Sequence, residues 1–393
     1  MVDARAASIG RAVGRAGLTA SARLSEHVRP KRIRRVEDVP GTISAINEEW
    51  LTAVLCRDHP GLRVTSYTAH DMTSQTTSRA ALNISYSEDR PGGPPADVFV
   101  KLMATTRQRL FAGLIRILDG EAEFYGRLRR LAEFECPHGY FGAVDRRSWA
   151  CATVIEDIVA TRGAEFCHAT TTFDRAAIES LLATMAAYHG QYWGHPAVAA
   201  SPLKRPEDHF ANIDVFLNAR KRSRIGVQRT DGFPSALRSR QDELWTALAS
   251  SMRELSHGGP PTLLHGDAHV GNTYRTRDGA VALADWQVVM QGGFAYDVAD
   301  VISTALTIED RRNWERDLLV FYLERLREAG GDPPGFADAW NLYRRSLMYP
   351  FFCWATVLGA PAWMPDTQPA DLARTLVERV GTAIEDTDAL SAF

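Results

Sequence analysis

The sequence predicts an α+β fold in two parts, a small sheet-rich lobe followed by a larger, mostly helical one. Three observations carry that expectation. Short alternating or apolar runs dominate up to about residue 158. Long helical periodicities dominate beyond it, and one strand-loop-strand segment rich in polar residues interrupts the helices. At 393 residues, 45% hydrophobic and 24% charged, the chain is long enough for two domains with ordinary globular cores.

The first lobe is expected over residues 41–158. Asn47 is placed to cap a short helix beginning at Glu48. Strands are predicted near residues 62–68, 80–86 and 97–103. The turn-rich run Glu88-Asp89-Arg90-Pro91-Gly92-Gly93-Pro94-Pro95 forms the loop between the last two. A helical pattern covers residues 108–131, and strands follow near 140–144 and 149–155. In the second lobe, residues 159–393, Ile178, Leu181, Leu182, Met185, Tyr188 and Tyr192 share one helical face. Further helices are predicted over 214–225, 235–255, 311–329 and 338–357. Short strands at 262–264, 273–274 and 281–284 frame a loop. The aromatic set Tyr349, Phe351, Phe352, Trp354 and Trp363 reads as core.

Charge is unevenly placed. The formal net charge is −3, yet residues 1–36 carry nine basic residues against Asp3 and Glu26, an excess of +7, which leaves −10 for the remainder. Residues 1–40 are therefore expected to form a basic, solvated arm. Its composition faintly resembles a transit peptide, but no apolar core of a secretory signal is present. No window approaches the ~18 apolar residues of a membrane-spanning helix. Five scattered cysteines, none in C-x-x-C spacing, argue against a disulfide framework or a zinc site and fit a reducing, cytoplasmic setting.

The most informative segment is Leu264-His265-Gly266-Asp267-Ala268-His269-Val270-Gly271-Asn272, with Leu283-Ala284-Asp285-Trp286 after it. Phosphoryl transfer asks a protein for an oriented acceptor hydroxyl and for cations that neutralise phosphate charge. A carboxylate near the hydroxyl and a few oxygen ligands for Mg²⁺ meet those demands. Asp267 supplies the first, Asn272 and Asp285 the second. The stretch resembles the H-x-D-x-x-x-x-N signature of the aminoglycoside phosphotransferases and choline-kinase-like enzymes, and whole-chain pattern resembles most their ecdysteroid-kinase-like and bacterial small-molecule branch. A chance match at this spacing is on the order of 10⁻⁵ per start position. The resemblance implies a protein-kinase-like fold, with Asp267 catalytic and Asn272 and Asp285 as metal ligands. It implies a bracing role for His265. In Gly292-Gly293-Phe294-Ala295-Tyr296-Asp297-Val298-Ala299-Asp300 it makes Asp297 a support of the loop backbone, while Asp300 reads equally well as a first-turn helix acid.

In the first lobe, Lys101 lies inside the apolar strand Val98-Phe99-Val100-Lys101-Leu102-Met103 and needs an anionic partner. Glu121 and Glu123 compete for it. Glu121 shares its face with Phe124, Tyr125 and Leu128, whereas Glu123 shares its own with Gly126, Arg127 and Arg130, so Glu121 is the inward acid. The pair resembles the lysine–glutamate couple that holds ATP phosphates in kinases. By the same resemblance the Glu156 carbonyl and the Ile158 N–H would meet adenine. Ser74, Thr76 and Thr77 occupy the phosphate-loop position, here without glycine, and no Walker A sequence occurs.

The expectation is thus an enzyme using ATP and Mg²⁺ to phosphorylate a hydroxyl on a small molecule, with no nucleic-acid partner and no membrane span. A catalytically inactive, nucleotide-binding pseudokinase scaffold is the alternative. Neither acceptor nor oligomeric state is legible.

Overall fold

A computed structural model describes residues 14, 17, 19–22, 32–74, 77–361 and 368–393. The chain divides into two compact units, residues 1–131 with 137–163, and residues 132–136 with 164–393. The arm expected at 1–40 lies largely outside the described residues, as does Trp363. The last part of that arm departs from expectation. Ile33 is buried in the sheet unit's core, and Val36 and Val39 pack against that core. Arg32 and Arg34 pair with Glu49.

The first unit is built on an antiparallel sheet of five strands in the order β1-β2-β3-β5-β4. These are β1 (Val64–Ser74), β2 (Ser78–Tyr86), β3 (Asp97–Leu102), β4 (Gly139–Asp145) and β5 (Ala150–Glu156). Helix α1 (Glu48–Leu55) packs on it, started by Asn47, whose side chain accepts the Trp50 N–H at 2.9 Å. The helix predicted over 108–131 is broken. It forms α2 (Thr106–Leu114), α3 (Leu118–Gly126) and a 3-10 turn (Leu128–Leu131), broken first where Arg116 takes a left-handed conformation at φ 59° and again at Arg127, at φ −139°. A short α4 (Ile158–Arg162) closes the unit.

The second unit is mainly helical. Its helices are α5 (Arg175–Gln191), α6 (Pro196–Ala199), α7 (Pro206–Leu217), α8 (Ala219–Gln228), α9 (Ser235–Arg238), α10 (Gln241–His257), α11 (Ala295–Ala305), α12 (Ile308–Glu328), α13 (Phe336–Ser346), α14 (Met348–Leu358) and α15 (Ala370–Asp386). Three single predicted helices are again split, the one over 235–255 into α9 and α10 at Ser239 and Arg240. Asn218, at φ 53°, separates α7 from α8. Pro350 cannot donate to the Ser346 carbonyl, so α13 ends there and the proline falls in the first turn of α14. Among these helices lie two small sheets, β10-β7 and β6-β8-β9. Their strands are β6 (Glu165–Phe166), β7 (Thr262–Leu264), β8 (Thr273–Arg275), β9 (Val281–Leu283) and β10 (Met290–Gly292). Tyr349, Phe351, Phe352 and Trp354 are buried as expected. Among the described residues no helix is long and apolar enough to cross a membrane.

One contact in the first unit positions chemistry. Helix α3 lies so close to β4 that a Cβ on Gly142 would meet the Ala122 carbonyl oxygen at 2.3 Å, and one on Gly126 would meet the Gly142 oxygen at 2.7 Å. Both obstacles are backbone and cannot swing aside. Gly142→Ala is expected to destabilise the protein by about 1–3 kcal/mol through overpacking, read as a lower urea midpoint at unchanged m-value.

Candidate active site

Strands β8 and β9 pair antiparallel with Thr273 opposite Leu283, and the Ala284 N–H donates to the Asn272 carbonyl at 2.8 Å. That register brings Asn272 and Asp285 to the same end of the hairpin. Asp285 sits in the left-handed region at φ 59°, ψ 60°, which Asp tolerates better than most residues. Asn272 donates its amide N–H groups to the Asp267 carbonyl oxygen at 2.8 Å and to Asp267 Oδ2 at 3.0 Å. One side chain therefore fixes both backbone and carboxylate of Asp267, which stays 40% exposed at its side chain. With its nitrogen so committed, Asn272 has its Oδ1 to offer a cation. An amide oxygen and the Asp285 carboxylate form a sparse, all-oxygen donor set, which fits Mg²⁺ completed by phosphate and water oxygens and does not resemble a zinc site.

The loop is held from beneath. Asp297, fully buried in the first turn of α11, accepts the His265 N–H at 2.6 Å and the Gly266 N–H at 2.9 Å. It also accepts from the Tyr188 hydroxyl at 3.1 Å and His189 Nε2 at 3.3 Å. Burial pushes its pKa up, but the hydrogen bonds from His189 and the Gly266 N–H more than offset this and hold it below the usual carboxylate value. His265 Nδ1 accepts the Asp267 N–H at 3.3 Å, so Nε2 carries the proton and donates to the Ala284 carbonyl at 2.9 Å. The ring ties the segment of Asp267 to that of Asp285, and burial lowers its pKa, keeping it neutral. Trp286 packs edge-on against His265 and Tyr188, with centroids 4.8 and 5.1 Å away. His269 is buried as a local cap, accepting the Gly271 N–H at 3.1 Å.

The sheet unit carries the other predicted groups. Lys101 Nζ lies 3.1 Å from Glu121 Oε1 and 3.0 Å from Oε2, both side chains almost wholly buried. Glu123 points elsewhere, pairing with Arg127. Ser74 ends β1 and its hydroxyl contacts that of Ser78 at 3.2 Å. Thr77 is buried and accepts from Arg79 Nε at 2.9 Å, while Thr76 lies outside the described residues. Glu156 ends β5, its N–H bonded to the His138 carbonyl. Burial would raise its pKa, but Arg162, Thr161 and the His138 N–H bring the carboxyl down to about 2. Ile158 begins α4 as its first residue, behind the cap Asp157.

Two supporting residues escaped the sequence reading. Gln108 closes a capping box with Thr105, and its side chain also bonds Ser74, Ser78 and the Ala104 N–H. The T-x-x-Q spacing of Thr105-Thr106-Arg107-Gln108 was the available signal. Arg109, fully buried, donates to the carbonyls of Met103, Ser148 and Gly41; no local pattern announces it.

A five-stranded antiparallel sheet bearing a lysine–glutamate pair, and a helical unit bearing an Asp–Asn loop and a strand-end Asp, define a protein-kinase-like α+β fold. The chain belongs to the phosphotransferase enzyme family, whose model matches residues 108–337, more than half of its length. Among solved structures it is similar to a candidate aminoglycoside phosphotransferase of Ralstonia eutropha JMP134, at 13% identity and a TM-score of 0.50, covering 84% of this chain and 96% of that one. Lower similarity links it to a macrolide 2'-phosphotransferase of Brachybacterium faecium, with 16% identity, a TM-score of 0.42, and 83% and 97% of the chains covered. For a choline kinase of Streptococcus pneumoniae the values are 13%, 0.43, 84% and 94%. No curated protein matches.

The buried histidines make stability depend on pH. His265 and His189 both have folded pKa values below the ordinary 6.5, because burial disfavours the cation. The unfolded chain therefore binds more protons as the pH falls below about 6.5, and stability should drop from there towards the lower folded values. Urea midpoints are expected to fall between pH 7.5 and pH 5, with a shallower fall in His265→Gln.

Proposed function

We propose that the protein is an ATP- and magnesium-dependent phosphotransferase acting in the cytoplasm, moving the γ-phosphate to a hydroxyl of a small organic molecule. The observation that carries this reading is the Asp267–Asn272 arrangement. A half-exposed carboxylate is clamped by an amide whose oxygen remains to meet a cation, at the end of the hairpin that bears Asp285.

In this reading Asp267 orients the acceptor hydroxyl. As the new O–P bond forms and the bond to the ADP oxygen breaks, Asp267 receives the hydroxyl proton late in the transfer. Asn272 Oδ1 and Asp285 hold magnesium, which supplies neutralisation of the phosphate charge. Lys101 binds phosphate oxygens, and Glu121 keeps its ammonium directed. Ser74, Thr76 and Thr77 offer hydroxyl and N–H groups to phosphate, and the Glu156 carbonyl and Ile158 N–H meet adenine. Asp297 and His265 act only through the loop they hold.

The test is ADP release from MgATP across a panel of hydroxyl compounds. Asp267→Asn is expected to lower kcat on any productive acceptor by about 10²–10⁴-fold, the usual worth of a general base. Lys101→Met should raise KM for ATP as well. Turnover undiminished in Asp267→Asn would sink the assignment.

A further inference from the structure

We infer that His269 is a positioning residue for Asp267: its Nε2–H and the Asn272 amide hold one carboxylate oxygen, Oδ2, and so reserve the other, Oδ1, for the acceptor hydroxyl. The inference rests on the reading of Asp267 as the catalytic carboxylate.

His269 is buried beside a carboxylate that is not. Its Nδ1 accepts the Gly271 N–H at 3.1 Å, so that nitrogen carries no proton and Nε2 does. Nε2 lies 3.9 Å from Asp267 Oδ2. The same Oδ2 accepts the Asn272 amide N–H at 3.0 Å, whereas Oδ1 has no hydrogen-bond partner among the described residues. Two donors converging on one oxygen leave the lone pairs of the other to a hydroxyl. Capping Gly271 accounts for Nδ1 alone and gives the Nε2–H no task.

The ring is held in that orientation. A Cβ on Gly271 would meet its Cε1 at 2.8 Å and its Nδ1 at 3.1 Å, so the imidazole lies against that glycine. Trp354 of α14 meets it edge-on, at 82° with centroids 5.3 Å apart. Reversing the ring would give up the Gly271 hydrogen bond and aim a carbon at Asp267. At 3.9 Å the N–H stands too far off for a hydrogen bond. Such contacts are often long before substrates bind and tighten in the reacting complex. A shift of about 1 Å in the Asp267 side chain closes this one.

Two variants separate positioning from capping. The short side chain of His269→Asn can still accept the Gly271 N–H, as Nδ1 does, but cannot reach Asp267. His269→Gln reaches Asp267 with an amide N–H and gives up the ring's cap. Hydrolysis of MgATP, with water as acceptor, supplies kcat and KM. In His269→Asn kcat should fall by about tenfold or more, as a misplaced catalytic group costs, with KM for ATP unchanged. His269→Gln should recover most of that loss. A cap alone predicts the reverse order. An asparagine variant near wild type, or a glutamine variant as impaired as asparagine, would overturn the inference. Histidine-selective 15N spectra need neither ligand nor turnover, and no variant at 269 has to fold. They should show the His269 proton on Nε2, its signal displaced in Asp267→Ala; a proton on Nδ1, or an unmoved signal, overturns the inference too. Asp267→Asn run alongside separates the two failures. If its hydrolysis is undiminished the functional reading falls, while the ring spectrum still judges the contact.

Discussion

The second unit is organised around one buried negative charge. Burying an ionised carboxylate costs several kcal/mol unless its oxygens are fully engaged. Asp297 meets that condition with two backbone N–H groups, a tyrosine hydroxyl and a histidine N–H. The backbone of His265 and Gly266 can then lie in only one place, since any shift strands the charge. His265 extends the constraint. Its ring accepts from the Asp267 N–H and donates to the Ala284 carbonyl, so the loop of Asp267 and the strand end of Asp285 are set by the same carboxylate. A change far from any reacting atom can therefore be felt at both.

The sheet unit reaches a comparable result by packing. Lys101 and Glu121 are buried together, and a buried ion pair holds only while its geometry is good. The distance from helix to sheet sets that geometry, and glycines at 126 and 142 allow it. Gln108 does similar service for the β1–β2 turn, joining Ser74 and Ser78 to the start of α2. In both places the chemistry-bearing side chain is unremarkable in itself, and the residues that aim it have no functional groups or merely cap a helix.

This division explains what was legible in the sequence. Glu121 could be separated from Glu123 because helical periodicity is a local rule, and the structure pairs Lys101 with Glu121. The strand bearing Lys101 and the strands just before Asp267 and Asp285 were legible from equally local apolar runs. Helix breaks were not. At Arg116 and Asn218 a single residue turns left-handed inside an otherwise helical pattern, and no local periodicity reports it. The role of Arg109 was also hidden, since its three carbonyl partners come from residues 41, 103 and 148. Asp300 stayed undecided for a subtler reason. An acid near a helix start has a sufficient local explanation, and only its burial at the sixth helical position removes it.

The protonation states have a chemical consequence. Asp267, Asp285, Asp297 and Asp300 all belong to the loop, the hairpin end or the helix beneath them. Fully ionised, they would repel both one another and a triphosphate. The histidines packed among them give no relief, because burial lowers the pKa of His265 and of His189. Burial, then the negative charge of Asp267, raise the Asp300 pKa well above the usual carboxylate value, and hydrogen-bond donors surround Asp297. In the proposed reading a polyphosphate would approach Asp267 and Asp285 only in company with cations, so the proposed site would favour a nucleotide that arrives with its metal.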